Sequence, residues 1–158
     1  MNVEVLKWLH VVSAIVLVGG GLGSAFHLFA TSLGRKPQQV TEAARNVLRS
    51  DAAFTIPSAV FQLASGLWLA DRLGVALQTP WLRWSLIFYA VVVAIWVPVI
   101  WLELRMRAIS AEAAARSAAL PRRYWACFLL WSGLGVVGFG LFAAIVWLMV
   151  LKTVPWSS

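Results

Sequence analysis

Four long apolar stretches leave this 158-residue chain few folds to choose from. A hydrocarbon core about 30 Å thick takes roughly 20 helical residues to cross. The stretches run from about Val5 to Leu33, from about Ile56 to Ala70 with Phe54 and Leu73 extending it, from Pro80 to about Leu102 with Arg83 as its only charge, and from Tyr124 to Leu151 with none. Lipid gives backbone polar groups no partner outside their own helix, so four crossings predict a bundle of helices. The expected fold class is all-α: an integral membrane four-helix bundle forming one domain over 1–158, with the lipid bilayer as its first partner. Composition agrees. The chain is 61% hydrophobic and only 12% charged, against about 25% charged in soluble domains, which excludes a water-soluble enzyme and a disordered chain. The net charge of +7 suggests nucleic acid at first sight. The basic residues lie between the apolar runs, as in membrane-protein loops, so no nucleic acid partner is expected.

A cleaved signal peptide is the other reading of the first run. Glu4 beside Lys7 makes a weak charged leader, and the apolar length exceeds an ordinary h-region, so a retained helix over 4–33 is expected. Thr55 with Pro57, and Thr79 with Pro80, place a capping hydroxyl near a first-turn proline and predict helix starts for 55–73 and 80–119. Pro98 lies well inside the third run, where a missing N–H should kink the helix. Beyond it, Glu103/Arg107 and Glu112/Arg116 are spaced i,i+4 in an Ala-rich stretch that predicts a charged extension into water. The last helix is expected over 123–152. Between the first two crossings, Val40, Ala43, Ala44, Val47 and Leu48 oppose Gln39, Glu42, Arg45 and Arg49. That pattern predicts a short interfacial amphipathic helix over 38–50, lying on the membrane surface.

Lys and Arg near helix ends set orientation. Arg35, Lys36, Arg45, Arg49, Arg105, Arg107, Arg116, Arg122 and Arg123 flank the first and third connections, against Lys7, Arg72, Arg83 and Lys152 on the other side. Nine against four predicts both termini outside the cytoplasm of a bacterial inner membrane. Trp8, Trp81, Trp84, Trp147 and Trp156 then gather at the outer interface, and Trp101, Tyr124 and Trp125 at the inner one, as aromatic belts do. Gly19, Gly20, Gly21 and Gly23, and Gly133, Gly135, Gly138 and Gly140, let helices approach closely, within the chain or in a homo-oligomer. Their other reading is a gap for a flat ligand such as a porphyrin or quinone. Ser58, Gln62 and Ser65 share one face of the second crossing and are expected to point inward as hydrogen-bonding glue.

Ionisable groups at membrane depth are candidates for function. His10 leads, about one turn inside the first helix, as an axial ligand through a neutral imidazole nitrogen or as a histidine bonded to a neighbouring helix. A second axial ligand would come from Met149, Lys152 or another subunit, and Arg72 and Arg83 would suit propionates by fork-like pairing. His27 lies about 25 Å further along the helix axis, so the two histidines cannot share one metal or one haem iron. Glu103 is the expected partner of His27 near the inner surface. Asp51 is expected to cap the second helix or to answer Arg45 or Arg49. Cys127 reads as a buried, inert thiol.

Leu6-Lys7-Trp8-Leu9-His10-Val11-Val12-Ser13, Asp51 with Phe54-Thr55-Ile56-Pro57, Trp96 to Leu102 with Arg105-Met106-Arg107, and Tyr124-Trp125 with Trp147 to Val150 resemble the bacterial integral-membrane family called domain of unknown function 2269. The resemblance spans nearly the whole chain and implies four transmembrane helices in a bacterial inner membrane, with no established activity. A looser likeness runs to the HemJ-type protoporphyrinogen oxidases and to the copper-resistance D group. It rests on Lys7 to His10 and on Gly66-Leu67-Trp68-Leu69 with Trp81-Leu82. That likeness implies haem b on His10, although the oxidases' lysine position holds Ser85 here. Two distant histidines and three methionines make a poor copper path. The function expected is a non-enzymatic membrane protein holding one haem b or porphyrin through His10, with Arg83, Arg72 and Met149 nearby. The alternatives are a HemJ-like redox enzyme on porphyrinogen or quinone substrates and a ligand-free accessory or transport subunit.

Overall fold

A computed structural model describes residues 2–154, so the placement expected for Trp156 falls outside the described residues. Helix α1 spans Val3–Leu33, α2 Pro37–Ser50, α3 Ile56–Arg72, α4 Pro80–Ala115 and α5 Arg122–Leu151. No strand occurs among the described residues. Taking α2 and α3 as one continuous helix, four helices are long and apolar enough to cross a membrane.

Local chemistry explains the helix ends. Asn2 Oδ1 accepts the Glu4 N–H at 3.2 Å, capping α1, and Glu4 sits where the helix dipole favours an anion. α3 ends on Gly74 at φ +66, with Val75 N–H bonded to the Ala70 carbonyl and Gly74 N–H to Asp71. This αL closure suits glycine. α4 ends the same way with Ser117 at φ +49 and Ala118 N–H on Ala113, so the helix stops at Ala115, short of the expected residue 119. Pro80 does occupy the first turn of α4, but the Thr79 hydroxyl makes no capping bond.

The expected start at Thr55 is absent, because the chain is already helical there. Asp51–Thr55 form a π-helical segment that joins α2 to α3 without a break. Pro57 has no N–H to offer, so the α ladder cannot pass unchanged. The backbone widens instead, and Ile56 N–H bonds the Asp51 carbonyl five residues back. The Thr55 hydroxyl, free of capping duty, donates to Asp51 Oδ1 at 2.8 Å.

α2 is amphipathic, but its apolar face meets protein. Val40, Ala43, Ala44 and Val47 are buried in one cluster with Leu28 of α1, Leu102 and Met106 of α4, and Tyr124, Phe128 and Trp131 of α5. Thr41 Oγ1 donates to Ser110 Oγ at 2.9 Å, tying α2 to α4. The period seen in the sequence was right; its partner is the bundle core in place of a lipid surface. Tyr124 OH and Ser32 Oγ, 2.7 Å apart, link α5 to α1 at the same end.

At the opposite end, which carries both termini, the bundle is looser. α1 packs on α3 and α4 on α5, while no Cα of α3 comes within 8 Å of α4 or α5. The glycine faces do not close this gap. A Cβ built on Gly19, Gly20, Gly23, Gly133, Gly135, Gly138 or Gly140 would meet nothing within 4 Å, and on Gly21 only Phe139 at 3.8 Å. Close intrachain packing through these glycines, one of their two expected roles, is therefore not found. The outer surface is apolar, with Phe26, Val97, Leu129 and Val136 all well exposed, as a surface solvated by acyl chains requires.

Candidate functional site

His10 lies where α1 crosses α3, and both of its ring nitrogens are engaged. Nδ1 is 2.7 Å from Ser65 Oγ, and Nε2 is 2.9 Å from Gln62 Nε2. Hydrogen-bond polarity assigns the proton. The Ser65 hydroxyl donates to the Phe61 carbonyl at 2.6 Å, so towards His10 it accepts. The Gln62 amide nitrogen can only donate, so Nε2 must carry the lone pair. The Gln62 carbonyl oxygen accepts in turn from Ser13 Oγ. With the Ser13 hydroxyl, which also lies 2.9 Å from the His10 carbonyl, given to Gln62, this arrangement is a neutral ring protonated on Nδ1.

The backbone of α3 is shaped to this ring. A Cβ at Gly66 would stand 3.1 Å from His10 Cε1, so glycine is what admits the imidazole. Gln62, Ser65 and Gly66 fall on one α3 face, the expected inward one, and Ser65 is buried.

Beside the cluster lies a narrow cleft of about 50 Å³ between the α1/α3 and α4/α5 pairs. His10, Gln62, Ser85 and Tyr89 give its wall polar groups; Leu63, Leu67, Leu86, Phe142, Ile145 and Met149 supply the apolar remainder. Tyr89 spans the gap, donating from its hydroxyl to the Ala59 carbonyl at 2.7 Å. Ser85 Oγ donates to its own helix, on the Trp81 carbonyl, at 2.7 Å.

The four residues expected to hold a cofactor therefore divide. His10 and Met149 line the same cleft. Arg72 and Arg83 are exposed and do not line it, and the Arg72 guanidinium lies 5.9 Å from the Trp68 ring centre. Haem b does not fit the arrangement. Neither imidazole nitrogen is free for iron, and a cleft of about 50 Å³ is far below the roughly 300 Å³ or more that even drug-sized ligands need. Among the described residues no group of three or more His, Cys, Asp or Glu side chains could hold a metal ion.

Two further expectations change. His27 is exposed and Glu103 does not pair with it; Glu103 Oε1 accepts from Trp131 Nε1 at 2.9 Å, and Arg107 is not its partner either. Asp51 neither caps a helix nor answers Arg45 or Arg49. It is buried, bonded by Thr55, with Trp96 its other polar neighbour. The Glu112–Arg116 pair does form, at 3.0 Å, and Glu112 also holds Arg123 across the α4–α5 turn. The tyrosine at 89 was not singled out in the sequence, although a phenol inside an apolar run needs a hydrogen-bond partner and so marks an interhelical gap.

Four apolar helices with a polar knot at membrane depth define a multi-pass integral membrane protein. The chain belongs to the family described as predicted integral membrane protein, DUF2269, whose model matches residues 4–153. No curated protein and no solved structure matches it.

Proposed function

We propose that this chain is a non-enzymatic protein of the bacterial inner membrane, with both termini outside the cytoplasm, that binds a membrane-dissolved amphiphile in the cleft beside His10. The observation that carries the reading is the mixed lining of that cleft within an apolar surround. A hydrogen-bonding head of quinone type, with carbonyls on an apolar body, suits the second N–H of the Gln62 amide on one side and Phe142, Ile145 and Met149 on the other. The volume admits a head only, so the body stays in lipid between the loosely joined helix pairs. The excess of Lys and Arg beside the α1–α2 and α4–α5 connections supports the orientation. The glycine faces of α1 and α5, unpartnered within the chain, support a homo-oligomer.

Purified protein in nanodiscs, titrated with a short-chain quinone, is expected to show saturable quenching of its tryptophan fluorescence. Ile145→Phe narrows the cleft and should weaken that binding about tenfold, the equivalent of about 1.4 kcal/mol. Unsaturable quenching, or equal affinity in the variant, overturns the reading. The same preparation from haem-replete cells is expected to lack a Soret band; a band abolished by His10→Ala would restore haem b and remove the amphiphile.

A further inference from the structure

Away from the cleft, two carboxyl groups are buried in the half of the bundle that carries α2. Glu103 of α4 is 3% exposed and Asp51 of the π segment 6% exposed. Asp51 is bonded to the Trp96 indole, and Trp96 and Glu103 stand two turns apart on α4. Their surroundings differ in one respect. Asp51 takes a hydrogen bond from Thr55 and has the Trp96 indole as a second donor. Glu103 takes one, from Trp131 on Oε1, and its Oε2 is buried with no partner of any kind. A carboxylate oxygen at that depth needs either a donor or its own proton.

No cation supplies the answer. Arg45 of α2 is paired with Glu42, and Arg49 is exposed. Arg105 of α4 lies over the Trp101 ring, and Arg107 makes no bond to Glu103. His27 of α1 is exposed. From α5, Tyr124 is bonded to Ser32 and Cys127 packs on the apolar cluster. A metal ion is equally unsuited, because the indole N–H groups of Trp131 and Trp96 are donors where a cation needs oxygen ligands.

We propose that Glu103 is a proton-binding site: Oε2 carries an exchangeable proton, and Asp51 carries the negative charge. The donors around Asp51 hold its carboxylate, and the single donor at Glu103 leaves Oε2 to the proton. The site is independent of the His10 cleft, so each stands or falls alone.

Infrared difference spectra of the protein in lipid test the proposal. At neutral pH one protonated-carboxyl C=O band is expected, lost in Glu103→Gln and retained in Asp51→Asn. Glu103→Asp keeps the acid and guards against a Gln variant that does not fold; its band should move in frequency. Absence of the band from folded wild-type protein, or a band unchanged in Glu103→Gln or Glu103→Asp, overturns the proposal.

Discussion

Tyr124→Ala is expected to lower the unfolding free energy by about 4 kcal/mol, within the range of roughly 3–5 kcal/mol for emptying a buried aromatic site. Tyr124 is fully buried at the α2 end, stacked near-parallel to Phe128 with ring centres 6.4 Å apart and edge-on to Trp125 at 5.5 Å. Removing the ring opens a void where α1, α2, α4 and α5 all converge, and no neighbouring helix can close it without leaving its other contacts. Tyr124→Phe keeps the ring and loses only the bond to Ser32. Ser32 still donates to the Leu28 carbonyl at 2.7 Å, so no buried group is orphaned. The cost there is about 0.6–1 kcal/mol, as for a single interhelical hydrogen bond. Unfolding in mixed micelles, or by steric trapping in bilayers, reads both values. A loss below about 1 kcal/mol for the alanine variant would place the cohesion of the bundle elsewhere than this cluster.

Gly66→Val carries the second large effect. The new side chain drives into an imidazole fixed at both nitrogens, and the ring cannot tilt away without giving up Ser65 or Gln62. Overpacking costs about 1–3 kcal/mol, and two interhelical hydrogen bonds add about 0.6 kcal/mol each. The expected total is about 2–4 kcal/mol. A double-mutant cycle isolates the cause, because His10→Ala vacates the space the valine needs. In that background Gly66→Val should cost less than about 1 kcal/mol. Equal costs in both backgrounds would show that Gly66 serves something other than the ring.

The contrast between the two ends of the molecule explains what could be read from sequence. Lipid demands continuous apolar helices, so α1, α4 and α5 declare themselves by length alone. The amphipathic period of α2 was equally plain, yet a period names a face and not its partner. Only the fold reveals that Val40 and Ala44 meet Leu102 and Tyr124. Pro57 suggested a helix start, whereas it marks a π segment inside a continuous helix, because a proline fits a first turn and a widened turn alike. His10, Gln62 and Ser65 each carried a sequence signal. Their meeting depends on the packing of α1 on α3, which lies 52 and 55 positions apart in the chain and leaves no local trace. Asp51 and Glu103 were legible as ionisable residues near membrane depth. Their burial, and the indoles of Trp96 and Trp131 that serve them in place of arginines, come from the packing of the helices.

The central claim is that His10 spends both nitrogens joining α1 to α3. Nitrogen NMR of histidine-labelled protein in bilayers tests it directly. His10 should appear at neutral pH as a neutral ring with its proton on Nδ1 and an unprotonated, hydrogen-bonded Nε2, and that signature should vanish in Gln62→Leu. A proton on Nε2, or a nitrogen shifted by a bound metal, would contradict it.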